Sequence, residues 1–324
     1  MNILVSIHLY PPKHNCGAEW MMHHLLKDLQ SRGHSIKVLL HQANKYRINS
    51  NYLFDGIDVF PPDAEVIDGL FAWSHCVFTH LDYTKWTIMK AALYGKPLFH
   101  FVHNSHFYQE IADAIKEQYV VYNSAWVGEI LKYNRKSFIL QPPVDYRYYD
   151  TKVNSEDNKY ITLINLNENK GGSILYEIAK AMPNKSFLGV KGSYDTQITQ
   201  KLPNITYIEN TKEIRDIYKQ TKILIMPSDY ESWGRTATEA MCNGIPVICT
   251  DGEGLRENCD KAGIYIKDRH DIKSWVSEIN KLDDKKAYQA ASRKAKARSR
   301  ELDPRETLDK FETWLRENVN RHKP

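Results

Sequence analysis

The chain has 324 residues, 42% of them hydrophobic and 26% charged, with a formal net charge of +4, the composition of a soluble globular enzyme large enough for two domains. No run of eighteen apolar residues occurs, which excludes a membrane-spanning helix, and five scattered cysteines without a CxxC pair argue against a disulfide framework or a structural zinc site. The small positive excess neither requires nor forbids a polyanionic partner.

The N-terminal MNILVSIHLYPPKHNCG has an apolar run too short for a signal peptide and no basic flank before it. It reads as a buried first strand, and the protein is expected to stay in the cytosol. Strands are predicted over 3–7 and 35–40, with a helix over 18–32 between them that ends at Gly33. Further strands are expected at 76–79, 98–102, 119–122 and 138–140, separated by helices near 85–94, 107–117 and 125–133. Alternation of this kind predicts a parallel sheet covered on both faces. The stretch 142–158, PPVDYRYYDTKVNSEDN, is polar, carries paired prolines and lacks either periodicity, which marks it as an interdomain linker.

The alternation then resumes. Strands are predicted at 160–165, 186–190, 205–208, 223–226 and 246–250, with helices over 173–182, 211–220 and from about Arg235 to Asn243. The fold class is therefore α/β, with two Rossmann-like domains facing across a cleft at the carboxyl ends of their strands. The C-terminus turns helical and basic, with Lys285, Lys286, Arg293, Lys294, Lys296, Arg298 and Arg300 over 283–300. After Pro304 a last helix places Leu308, Phe311 and Leu315 at helical spacing. Cys16, Cys76, Cys242, Cys249 and Cys259 read as thiols in apolar surroundings.

The segment 226–251, MPSDYESWGRTATEAMCNGIPVICTD, carries the chemistry. A strand enters a polar loop containing Glu231 and Gly234, a helix begins near Arg235, and Glu239 lies on its second turn. The start of a helix offers unpaired amides and a positive dipole end to a diphosphate. Arg235, Thr236 and Thr238 stand near as further donors, while one carboxylate takes ribose hydroxyls and the other sugar hydroxyls. Lys170, before Gly171 and Gly172, is similarly suited to phosphate. Gly17, at the first helix start, allows close approach of the backbone to a ligand. His100, His103 and His106 do not read as a metal site, because His100 and His103 point to opposite faces of a strand and no carboxylate completes a set.

Glu231-SWGRTAT-Glu239-AMCNGIPVI resembles the Glu–seven residues–Glu signature of the family 4 retaining glycosyltransferases (glycosyltransferase group 1), which have the GT-B fold. PPKHNCGAEWMMHHLLKDLQSRGHSIKVL resembles that family's N-terminal glycine-pair motif, with Cys16 in place of the first glycine and Gly17 kept. PLFHFVHN, VVYNSAWVGEIL, PPVD, ITLINLNENKGG and TDGEGLREN resemble its other landmarks. The resemblance implies an acceptor-binding domain over 1–150, a nucleotide-sugar-binding domain over 151–304, and a helix over about 305–324 that packs back on the first domain. It implies catalytic roles for His103, Glu231 and Lys170, and donor contacts from Gly17, Asn165, Lys170, Glu231, Ser232, Trp233, Gly234, Arg235, Thr236 and Glu239. Glu231 would touch the transferred sugar and Glu239 the ribose. One departure stands out: many members carry Arg five residues before the lysine, where this chain has Asn165.

The expected reaction is metal-free, configuration-retaining transfer from a nucleotide diphosphate sugar, a UDP-sugar first among them, to an acceptor hydroxyl on a glycan or lipid. No cofactor is expected. The basic C-terminal helix is a solvated face or a contact for an anionic membrane surface, placing the protein at the inner membrane face, or for nucleic acid. Two other readings stay open: glucosylation of hydroxymethylated DNA bases, and a non-catalytic nucleotide-sugar-binding protein. A nicotinamide oxidoreductase is disfavoured because NCGAE is a poor substitute for GxGxxG after the first strand.

Overall fold

The computed structural model describes residues 1–105, 119–132 and 136–322. The expected helix over 107–117 and His106 lie outside them. The chain divides into two compact units, one made of Met1–Pro143 with Pro304–Pro324 and the other of Val144–Asp303.

The first unit is built on an eight-stranded sheet in the order β3-β4-β2-β1-β5-β6-β7-β8. Its strands are β1 (Asn2–Ile7), β2 (Ser35–Leu40), β3 (Tyr52–Phe54), β4 (Ile57–Phe60), β5 (Cys76–His80), β6 (Leu98–Val102), β7 (Tyr119–Tyr122) and β8 (Ser137–Ile139). All pairs are parallel except β3–β4. β1, β5, β6 and β7 are almost continuously apolar because both faces are covered, as a parallel sheet requires. Helix α1 (Gly17–Ser31) follows β1 and ends where Gly33 takes a φ of +83°, the left-handed stop that glycine adopts without strain.

The segment between β2 and α2 holds the β3–β4 hairpin. Asp55 and Gly56 both have positive φ, 47° and 75°, as a two-residue type I′ turn needs. The Asp-Gly pair between alternating apolar residues in YLFDGIDVF was the available signal. Two further helices, α2 (Ala64–Trp73) and α3 (Thr84–Leu93), flank β5, and α4 (Ala125–Leu131) follows β7.

The second unit has a six-stranded, all-parallel sheet in the order β11-β10-β9-β12-β13-β14. Its strands are β9 (Tyr160–Ile164), β10 (Ser186–Val190), β11 (Ile205–Ile208), β12 (Thr221–Met226), β13 (Val247–Thr250) and β14 (Gly263–Ile266). From Val144 onward the stretch expected as a linker is folded into this unit. Helix α5 (Tyr146–Tyr149) starts at Asp145, whose side chain accepts from the amide of Arg147, and Tyr149 is buried with Tyr218 and Met241. Helices α6 (Gly172–Ala181), α7 (Ile214–Tyr218), α8 (Arg235–Cys242), α9 (Glu253–Cys259), α10 (Ile272–Lys281) and α11 (Lys285–Glu301) complete it.

Helix α12 (Arg305–Asn320) returns to the first unit. Leu308, Phe311, Leu315 and Val319 form one stripe, each at most 6% exposed, in the same core as Phe78, Phe99 and Phe101. Burying each contributes roughly 1.5–3 kcal/mol. Among the described residues no helix is long and apolar enough to cross a membrane. All five cysteines are thiols, four of them buried and Cys16 half-buried.

Candidate functional site

In the second unit the chain runs from β9 outward to β10 and β11, then returns to β12 and proceeds outward on the other side. The β9–β12 boundary is therefore the switch point of the sheet, where ligands of open α/β folds bind outside the carboxyl ends of the strands. Two loops leave there, 165–171 after β9 and 227–234 after β12. They are pressed together: the amide of Asp229 donates to the carbonyl of Asn169 at 2.7 Å, and a Cβ on Gly171 would stand 2.5 Å from Pro227 Cγ. Gly171 also has a φ of +91°, so both space and conformation call for glycine.

Across this junction Lys170 Nζ donates to Glu231 Oε1 at 2.6 Å, and Ser228 Oγ donates to the same oxygen at 2.9 Å. Both members of the pair are largely covered, with side-chain exposures of 21% and 13%. Burial disfavours the Lys170 ammonium, but the charge and hydrogen bond of Glu231 outweigh it and raise its pKa above the ordinary lysine value. The lysine is thus a fixed cation beside a carboxylate. Asn167 holds the loop by accepting from the Lys170 amide at 2.9 Å, and its own Nδ2 is buried without a partner.

Gly234 caps α8 with a φ of +81°, and a Cβ there would stand 2.7 Å from Leu255 Cδ2. Trp233 is buried, and Asn258 fastens the turn: its Nδ2 donates to the carbonyls of Trp233 and Gly234, both at 2.9 Å, while Thr238 Oγ1 donates to its Oδ1. The start of α9 packs just as tightly, since a Cβ on Gly254 would stand 2.2 Å from the carbonyl oxygen of Glu231. Glu231, Ser232, Trp233 and Gly234 are therefore positioned by α9 as well as by their own loop.

Glu239 and Arg235 are brought together rather than left open. Arg235 Nε lies 3.0 Å from Glu239 Oε1, Arg235 Nη2 donates to Tyr149 Oη at 2.5 Å, and Tyr218 Oη donates to Glu239 Oε2 at 2.7 Å. Burial, then the neighbouring Glu239, push the Tyr218 phenol pKa up, so it remains a donor. A carboxylate has about four acceptor positions, and these two partners leave capacity for hydroxyls of a ligand. Thr236 Oγ1 faces Met226 Sδ at 3.7 Å.

Asn165, where the family resemblance expects Arg, has a φ of +71°. Its Oδ1 accepts from the Asn167 amide at 3.2 Å and from Gln197 Nε2 at 3.1 Å, and a Cβ on Gly192 would lie 2.3 Å from it. A small side chain that tolerates the left-handed region suits this place, and a long one does not. The structure employs Asn165 in shaping the loop.

In the first unit, Gly17 opens α1 with nothing within 4 Å of a Cβ built on it, so the space before it is open. His103 follows β6, and its Nε2 lies 2.8 Å from Nδ1 of His80 at the end of β5. Its carbonyl accepts from Asn123 Nδ2 at 3.2 Å. Burial lowers the pKa of His103 to about 4, so its ring is neutral at pH 7.

Tyr149, Tyr218, Ser228, Gln197 and Asn258 escaped the sequence analysis. Ser228 alone carried a local signal, lying three residues before Glu231 on the same loop. The basic helix α11 leaves Lys285, Lys286, Arg293, Lys294, Lys296 and Arg300 exposed, whereas Arg298 donates to the carbonyls of Asn258 and Glu257 at 2.8 Å each.

Residues 150–298 match the family model described as glycosyl transferases group 1. A stretch of 73 residues is 36% identical to D-inositol 3-phosphate glycosyltransferase of Corynebacterium jeikeium, covering 22% of this chain and 17% of that protein. The chain thus matches about a sixth of the length of this curated relative. Its fold is similar to that of sucrose-phosphate synthase from Thermosynechococcus elongatus, with a TM-score of 0.80 at 13% identity over 100% of both chains. It is also similar to Anabaena HepE, solved with UDP-glucose, with a TM-score of 0.76 at 15% identity over 98% of this chain and 100% of that one. The fold is of the GT-B type.

Proposed function

We propose that the protein is a metal-independent, retaining glycosyltransferase that takes a sugar from a nucleotide diphosphate sugar, a UDP-sugar first, and passes it to an acceptor hydroxyl on a glycan or lipid. The observation that carries this reading is the Lys170–Glu231 pair bridging the two switch-point loops. A cation fixed at 2.6 Å from a carboxylate there can neutralise a diphosphate while the carboxylate takes sugar hydroxyls.

In this reading the diphosphate lies against Lys170 and the first amides of α8, where the helix dipole favours negative charge. Glu239 accepts ribose hydroxyls, oriented by Tyr218 and Arg235. Glu231 holds the transferred sugar and is not the nucleophile. Catalysis comes from positioning and from stabilising the leaving diphosphate, one of whose oxygens takes the acceptor proton as the new bond forms on the same face. His103 and Gly17 serve the acceptor side. The solved complex of HepE with UDP-glucose favours uridine as the base. The exposed cations of α11 favour work at an anionic membrane face from the cytoplasm.

Thermal-shift screening of the full chain against nucleotide sugars tests the reading. A true donor at about 100-fold its Kd adds roughly 2.7 kcal/mol of stability. No stabilisation by any nucleotide sugar would remove the assignment, and stabilisation without sugar transfer and nucleotide release in the presence of any acceptor would leave a binding protein.

A further inference from the structure

The first unit has its own switch point, between β1 and β5, because β2 and β4 lie on one side of β1 and β5 to β8 on the other. Three side chains converge at the carboxyl end of that boundary: His8 just after β1, Glu19 on the first turn of α1, and His80 at the end of β5. Each offers a ligand atom within 4.8 Å of those of the other two. They are 8%, 1% and 0% exposed, respectively. His8 Nε2 lies 2.8 Å from Glu19 Oε1, and the His8 and His80 rings are 5.4 Å apart.

Each of these groups keeps one polar atom that the protein does not satisfy. Glu19 Oε2, His8 Nδ1 and His80 Nε2 are buried without a hydrogen-bond partner. Buried polar atoms without a partner are costly, and native structures carry few of them. His80 is also oriented in a way that suits a ligand, since its Nδ1 is held by His103 Nε2 at 2.8 Å. A histidine that binds a metal through one nitrogen is usually fixed through the other in this manner. Glu19 pairs with the imidazoles of His8 and His14, at 2.8 and 3.5 Å.

We infer that His8, Glu19 and His80 form a binding site for a divalent transition-metal ion of the zinc class. Two imidazoles and one carboxylate are a donor set suited to Zn²⁺ rather than to Mg²⁺ or Ca²⁺, which take oxygen ligands. A tetrahedral ion about 2.1 Å from each donor holds the donors about 3.4 Å apart, so the 2.8 Å His8–Glu19 contact would open while the wider separations, all within 4.8 Å, close. A fourth position remains for water or a ligand. The three carriers are two strand ends and a helix start, so the ion would tie β1, β5 and α1 together below Gly17. Neither the scattered cysteines nor the histidines along 100–106 assemble a ligand set; this one is contributed by three elements. Glu19 also belongs to a shallower group with His14 and Cys16, which competes for the same carboxylate. The site does not depend on the donor reading above.

The test uses the full chain, freed of metal by chelator and dialysis, then titrated with Zn²⁺ and separately with Co²⁺. The expected result is about one ion per chain, a rise in melting temperature, and the intense visible bands of four-coordinate cobalt. His80→Phe and Glu19→Gln should each abolish the cobalt bands, His103→Gln should weaken affinity about 10–100-fold, and His41→Gln should leave it unchanged. If the ligand variants do not fold, the wild-type titration decides alone: one tightly held, four-coordinate ion supports the site. No stoichiometric binding, or only weak six-coordinate cobalt, overturns it. So does a thiolate-to-cobalt charge-transfer band that survives His80→Phe, which would assign the ion to His14, Cys16 and Glu19.

Discussion

Asn258 has no predicted contact with a ligand, yet the site rests on it. It is fully buried and joins α9 to the turn at Trp233–Gly234 and to Thr238 on α8 through three hydrogen bonds of 2.9 Å. Asn258→Leu keeps the branched shape and number of side-chain heavy atoms and removes all three. The Trp233 carbonyl loses its Asn258 donor and bears a penalty of about 1–3 kcal/mol. The Gly234 carbonyl still accepts from the Ala237 amide, and Thr238 Oγ1 still faces Trp233 Nε1. Those two losses are closer to 0.5–1.5 kcal/mol each. The sum is about 2–6 kcal/mol, a large part of a typical domain stability of 5–15 kcal/mol. The melting temperature should fall by roughly 5–20 °C. Because the same turn carries Glu231 and the start of α8, nucleotide-sugar affinity should fall at temperatures where the variant is still folded by circular dichroism. Calorimetric melting and isothermal titration read the two effects. A melting point within about a degree of wild type with unchanged affinity would refute the reasoning, since it would mean the turn holds its shape without this side chain.

Gly254→Ala places a methyl 2.2 Å from the Glu231 carbonyl oxygen, so the backbone must move; titration should show weaker binding of sugar nucleotide with a smaller effect on free nucleotide. Lys170→Ala breaks the switch-point pair and should weaken binding of UDP-sugar and UDP alike, measured by the same titration. Phe311→Ala opens a cavity in the core of the first unit and should lower stability by about 3–5 kcal/mol in denaturant unfolding. His34, just before β2, meets Glu312 of α12 at 3.0 Å, with Arg316 and the N-terminal amine beside them. Burial lowers the His34 pKa below its ordinary 6.5; for Glu312 burial acts upward, but hydrogen bonds from His34 and Arg316 outweigh it and bring the carboxyl below its ordinary 4.5. Both depressed values make stability complete at high pH and lost as pH falls, first below about 6.5 and then below about 4.5, and Glu312→Gln should remove the second step in melts run across pH.

The segment 226–251 was legible because its information is local: an apolar strand, a glycine, then a helix with Glu239 on its second turn. The parallel strands were legible for a similar reason, since burial on both faces leaves unbroken apolar runs such as ILVSI and ILIM. What stayed hidden depends on distant partners. Tyr149 was read as linker because PPVDYRYYD has no periodicity, and its partner Arg235 lies 86 positions away. Asn258 and Gln197 are single polar residues whose role is to satisfy backbone groups of other loops. The hairpin at Asp55–Gly56 was different, since its turn signal stood in the sequence and was overlooked.

The most direct measurement is a crystal structure of the protein soaked with UDP-glucose or the best donor from the thermal screen. The account predicts the diphosphate against Lys170 and the amides that open α8, with Glu231 on the sugar and Glu239 on the ribose. Density for the nucleotide sugar elsewhere, with Lys170 still closed on Glu231, would contradict it.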